Sequence, residues 1–125
     1  LEVASTARMA DYVGAAHANH AWVALRAGDT TLAREAGAEA LRLWQPLSLV
    51  YPFQWLAHWP LLSVALEEGH VTEALGHARA MLATSQQRLP DALSAPLSAA
   101  VAPETAFARE QLLLACESAR RLGHL

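Results

Sequence analysis

Residues 16–42 return in outline 41 positions later, as residues 57–83. Nine of the 27 aligned pairs are identical: Ala16/Ala57, His17/His58, Val23/Val64, Ala24/Ala65, Leu25/Leu66, Gly28/Gly69, Thr31/Thr72, Ala33/Ala74 and Leu41/Leu82. Chance in an alanine-rich chain gives about three such matches, so the repeat is genuine. A unit of this length is one supersecondary element that cannot bury its apolar face alone, and it stacks on its neighbours. The shared core is Ala-Leu-x-x-Gly, then a short gap, then a small residue at every third or fourth place. Glycine accepts the left-handed backbone that ends a helix sharply, so Gly28 and Gly69 are expected at positive φ in equivalent turns. Ala33, Gly37 and Ala40, with Ala74, Ala78 and Met81 in the second copy, let a returning helix lie close to the first.

The rest of the chain keeps the helical period. Breaks fall at Gly28-Asp29, Gln45 to Pro52, Gly69-His70, Ser85 to Pro90 and Ala102-Pro103. Between them apolar residues recur at 3.6, not 2. Over 30–44, Leu32, Ala33, Ala36, Gly37, Ala40, Leu41 and Trp44 share one face, opposite Arg34, Glu35, Glu39 and Arg42. The segment over 53–68 is apolar on two sides, with Phe53, Leu56, Ala57, Pro60, Leu61, Val64 and Ala65 on one and Trp55, Trp59, Leu62 and Leu66 on the other. The first helix reads as two-sided as well, its main stripe being Met9, Val13, Ala16, Val23 and Ala27 with Trp22 opposite. Helices one and three are therefore expected at the centre and helices two and four at the periphery. Pro60 is expected inside a kinked but continuous helix, and Pro96 in an irregular or broken one. The reading is all-α: three stacked antiparallel helical hairpins in a right-handed solenoid, over 2–27 with 30–45, 53–68 with 71–84, and 91–101 with 104–122.

Charge narrows the partners. The net charge is −3, and the nine basic residues, all Arg, are scattered, so no basic field invites nucleic acid. No apolar run approaches the ~20 residues that span a bilayer, and a cytoplasmic location is expected. The chain is 54% hydrophobic and 17% charged, against a usual ~45–50% and ~25%. That balance predicts covered surface, through the rest of a longer chain or through a second copy. The start at Leu1 is expected to mark a fragment of a larger protein in which residues 1–125 form one domain. Cys116 is the sole cysteine, and its setting in Leu113-Leu114-Ala115-Cys116 is that of a small core residue.

The Gly-turn and the alanines that follow it resemble the second half of the tetratricopeptide motif. The first half departs: where that family carries Trp-x-x-Leu-Gly-x-x-Tyr, this chain has His17, His20, Ala21 and Ala24, then His58, Leu61, Leu62 and Ala65. Tyr51-Pro52-Phe53-Gln54-Trp55-Leu56-Ala57-His58-Trp59-Pro60-Leu61-Leu62 and Ser85-Gln86-Gln87-Arg88-Leu89-Pro90-Asp91-Ala92-Leu93 resemble the C-terminal helical region of bacterial multidomain signalling ATPases that carry a class III adenylate/guanylate cyclase, as does the ending Ala119-Arg120-Arg121-Leu122-Gly123-His124-Leu125. The resemblance runs from about Tyr12 onward. It implies a repeat region that contacts catalytic domains elsewhere in the parent chain. None of their motifs is here: no Gly-rich phosphate loop and no Gly-Lys-Ser/Thr.

Six histidines invite a metal reading. His17-x-x-His20 puts two imidazoles on one helix face, and His58 repeats the place of His17. Zinc needs a further ligand, which no Cys pair or His-Glu-x-x-His motif supplies, so no metal and no cofactor is expected. His70, His77 and His124 are expected in solvent. Trp44, Tyr51, Phe53, Trp55 and Trp59 form an aromatic cluster whose plainer role is packing between hairpins. Trp22, sharing its side with Arg8, Asp11 and Arg26, is the best single candidate for an exposed contact. No paired carboxylates and no Ser/His/Asp set are visible, so the chain is not expected to be an enzyme. The leading function is a protein-interaction and scaffolding module, and a two-fold homodimer in which the first helix participates is expected. The alternative is a small-ligand sensor that binds a metabolite or peptide in a groove of His17, His20, Trp55, His58 and Trp59.

Overall fold

A computed structural model describes residues 2–46, 50–102 and 107–125, with side chains from Met9 onward. It holds six helices: α1 (Glu2–Arg26), α2 (Thr30–Trp44), α3 (Trp55–Glu67), α4 (Val71–Met81), α5 (Asp91–Val101) and α6 (Ala108–Arg121). Among the described residues there is no strand. Successive helices joined by a tight turn pack on each other, α1 on α2 and α3 on α4, and α5 lies on α6. The ends agree with the expected hairpins to within a few residues, except that 104–106, expected in the last helix, lie outside the described residues.

The glycine turns are as expected. Gly28 has φ +82° and Gly69 φ +78°. Gly28 N–H donates to the Leu25 carbonyl at 3.0 Å and Asp29 N–H to that of Ala24 at 2.9 Å. Gly69 and His70 repeat the pattern on Leu66 and Ala65 at 3.1 and 2.8 Å. These paired bonds satisfy the last orphan carbonyls of the helix, which is why the chain reverses at a fixed angle in both copies. Asp29 then caps α2 by accepting from Leu32 N–H at 3.0 Å.

A third turn of the same kind was not anticipated. Gly123 has φ +79°, donates to Arg120 at 3.3 Å, and is followed by His124 donating to Ala119 at 2.8 Å. Ala24/Gly28/Asp29, Ala65/Gly69/His70 and Ala119/Gly123/His124 are one pattern, but the second spacing is 54, not 41. By its terminal turn α6 is the counterpart of α1 and α3. Packing agrees: the backbone of α3 comes close to those of α1 and α6 and not to that of α5, which meets α3 only through side chains of the core. Helices α1, α3 and α6 thus share one kind of terminal turn, and α5 lies between α4 and α6 in the chain.

α3 is the centre. Every residue from Ala57 to Leu66 is buried, as its two apolar sides require. Trp59, Leu62 and Leu66 join Leu93, Leu97, Leu112 and Cys116 in the main core. On the other side, Ala57 packs with Ala18, Ala40 and Trp44, and Val64 with Ala24 and Ala33. Both internal prolines sit sixth in their helices, and both helices are continuous. This corrects the expectation for Pro96. The carbonyl it leaves unbonded belongs to Ala92, which is exposed and can turn to water.

The expected burial of α1 is overturned. Met9, Val13 and Val23 are exposed, as are Ala16 and Ala27. The buried stripe is Gly14, Ala18, Ala21 and Ala24. Apolar size misled the reading, because what faces a neighbour here is selected for smallness. A Cβ on Gly14 would run into the Trp44 indole ring, and one on Gly37 would come within 2.8 Å of Leu61. Helices this close leave room for alanine and glycine, and the larger side chains turn outward. Helix α1 is thus packed on one side and open on the other.

Candidate functional site

The open face of α1 carries Met9, Tyr12, Val13, Ala16, His20 and Val23, all exposed. Met9 is 64% and Tyr12 70% accessible. The spacing of 3, 4 and 7 residues lines them along one side of the helix. Isolated exposed apolar side chains are ordinary, whereas an aligned row of them on one helix is characteristic of an interaction surface.

A second feature lies on the other flank. Asn19 and Trp22 of α1, Trp55 and Leu56 of α3, and Gly123 and His124 after α6 line a pocket of ≈ 230 Å³. The Arg26 guanidinium sits 4.5 Å from the Trp22 ring centroid, a cation–π contact. Its Nη2 also donates to the Leu125 carbonyl at 2.9 Å. Trp55 stacks at a tilt on His124, 4.5 Å between centroids, and its indole N–H donates to Gln87 at 2.9 Å. His124 is half-buried rather than in solvent, and burial lowers its pKa from the ordinary histidine value. The reason is the third Gly turn, which folds the segment after α6 back onto α3.

A third feature surrounds His58. Its Nδ1 lies 2.9 Å from Nδ1 of His77, so one ring donates and the other accepts. Burial, reinforced by the His77 ring, pushes His58 down to about 3. Burial also lowers His77, against the pull of Glu73. Both rings are therefore neutral near pH 7. His77 was expected in solvent. It holds the place that buried Ala36 holds in the first copy, and that correspondence was the signal to read. Beside the pair, Leu41, Trp44, Gln45, Val50, Gln54, His58 and Ala80 line a recess of ≈ 380 Å³.

The candidate residues thus fall in separate places. Trp22 and Trp55 share the flank pocket. His58 lines the recess with His77 as its partner. His20 is on the open face of α1, and His17 is half-buried. Trp59 is 0% accessible and belongs to the core, its indole N–H without a partner among the described residues. Among the described residues no three His, Cys, Asp or Glu side chains converge as a metal site. Cys116 is buried, and burial pushes its thiol up to about 12, which disfavours the thiolate. No described helix is long and apolar enough to cross a membrane.

Residues 51–54, before α3, are tied to their surroundings. Trp44 stacks on Tyr51 at 4.5 Å, and Tyr51 meets Phe53 edge-on at 5.7 Å. Gln86 accepts from Gln54 N–H at 3.0 Å and donates to the Tyr51 carbonyl at 3.0 Å, and Gln87 N–H donates to the Pro52 carbonyl at 2.8 Å. Most of the aromatic cluster is accounted for by this packing. Comparison of the chain with protein-family models, with curated proteins and with solved structures finds no match.

Proposed function

We propose that this chain is a protein-interaction and scaffolding module: a short stack of tetratricopeptide-like hairpins, cytoplasmic, within a larger signalling or regulatory protein of the ATPase–cyclase kind. It acts by contact and carries no chemistry of its own. The observation that carries the reading is the open apolar face of α1. On α3 the repeat-equivalent positions Ala57, Leu61 and Val64 are buried, Ala57 and Val64 among residues of α1 and α2. A surface built to the same pattern and left uncovered is suited to receive another helical element. Sedimentation equilibrium over a concentration series tests it. Species larger than the monomer are expected, and Met9→Glu should remove them. A strict monomer at high micromolar concentration would count against it.

The second reading is a ligand sensor, and the recess beside His58 favours it. Apolar walls with two glutamines and a neutral imidazole suit a small polar ligand. It predicts ligand-dependent protection of His58 in a screen by NMR, lost in His58→Leu.

A further inference from the structure

The recess beside His58 is walled by α2, α3, α4 and the residues just before α3, and no charged side chain lines it. Its polar groups come from Gln45, Gln54 and His58. The Trp44 indole N–H donates instead to the Asp11 carbonyl at 3.4 Å. Among the described residues neither carboxamide has a hydrogen-bond partner, and both glutamines bond through their backbones alone. His58 is only 6% exposed, and its Nδ1 is held by His77. That leaves Nε2 as the ring's remaining polar atom, likewise without a partner among the described residues. A nearly buried nitrogen in that state gains more from an occupant than a surface group already in water does.

The lining defines what fits. A charged molecule would lose its hydration there and meet no opposite charge. A volume of ≈ 380 Å³ takes a small molecule and no folded partner. Each carboxamide sets an N–H donor beside a carbonyl acceptor, the complement of an amide or lactam edge, so two parallel hydrogen bonds can form. His58 adapts to either polarity. Each neutral ring carries one proton and one ring donates to the other across 2.9 Å, so the two rings hold opposite tautomers. If His58 donates to His77, its Nε2 accepts from the occupant. If His77 donates, His58 Nε2 offers an N–H. We infer that the recess binds an uncharged small molecule bearing an amide or lactam group, which pairs with the Gln45 and Gln54 carboxamides and with His58 Nε2. This rests on the ligand-sensor reading above and adds the class of ligand and its contacts.

Titration of the whole chain with δ-valerolactam, followed by NMR of the histidine rings and glutamine side-chain amides, tests this. The Gln45 and Gln54 amide signals and the His58 Nε2 signal should move together and saturate. Piperidinium and cyclopentanecarboxylate, rings of similar size that carry a charge, should leave them in place. Gln54→Leu should weaken the lactam about threefold to tenfold, the worth of one neutral hydrogen bond or two. The Gln54 side chain does not cap α3, so the fold should stand. Opposite tautomers at His58 and His77 in the spectrum of the variant verify that. If a charged probe moves these signals as strongly as the lactam, the class of ligand is wrong while a ligand site remains. If Gln54→Leu binds the lactam unchanged, the carboxamide contact is wrong. If no probe moves them, the ligand-sensor reading falls as well.

Discussion

Val23 and Val64 occupy the same place in two copies of one repeat, yet Val23 is 55% accessible and Val64 is 0%. His17 and His58 diverge likewise, one half-buried and the other buried against His77. Ala16 is exposed and Ala57 is buried. The local structure is nonetheless shared, down to the paired hydrogen bonds at Gly28 and Gly69. The copies differ in their neighbours: α3 packs on α1, α2, α4 and α6, whereas α1 packs on α2 and α3. Turn chemistry is local and travels with the sequence. Burial is collective and depends on which helices pack around each copy.

The sharpest way to break this comparison is to place the same charge in both copies. Val64→Glu should cost about 3–5 kcal/mol in urea unfolding, because the carboxylate enters a dry contact with no partner. Val23→Glu should stay within about 0.5 kcal/mol for the monomer. Equal losses would mean that the outer face of α1 is covered.

Acid should act mainly through the second copy. The pKa of His58 is depressed in the folded state, to about 3. The unfolded state then binds the extra proton first. Stability is full above the unfolded value near 6.5 and falls as pH drops toward 3, by about 1.4 kcal/mol per unit at the steepest. The lowered pKa of His77 acts in the same direction. Equilibrium unfolding between pH 7 and 4 should show the decline, and His58→Leu should flatten it. An unchanged slope in that variant would remove the buried pair as its cause.

The turns should respond alike. Gly28→Val and Gly69→Val are each expected to cost about 1–2 kcal/mol through the left-handed penalty, since open space surrounds both positions and backbone strain is all that differs. Unequal thermal shifts would show that the two turns are under different tension. The smallest effect concerns the contact between copies. Arg34 of α2 bonds Glu73 of α4 at 2.8 Å and also Glu68 beside the second turn. All three groups are more than a third exposed, so Arg34→Ala should cost under about 1 kcal/mol in a denaturation curve.

Much of the architecture was legible because it is written in short-range terms. The 3.6 period placed the helices, and glycine placed the reversals. The Leu32-to-Trp44 stripe of α2 was read correctly, since its buried and polar sides differ in chemistry. Helix α1 was misread because both of its sides are apolar, and hydropathy favoured Met9, Val13 and Val23 over Gly14, Ala18 and Ala21. The candidate residues suffered from the same blindness to direction. Trp55 and Trp59, four apart, were placed in one groove, but Trp59 points into the core and Trp55 across to Gln87 and His124.

By itself the sequence determined that this chain is helical, that it repeats, and where it reverses. Each of those rests on residues within about one helical turn of each other, where periodicity, caps and the freedom of glycine decide the outcome. Only the tertiary structure decided which copy of the repeat is buried and which exposed, that α6 rather than α5 brings its backbone against α3, and that His58 meets His77. Those depend on how closely two helices approach, and the approach is set by which side chains are absent. At Gly14 and Gly37 it is the missing Cβ that admits Trp44 and Leu61. A sequence records the residue at each position, but the space left empty acquires a meaning only when a second helix arrives to fill it.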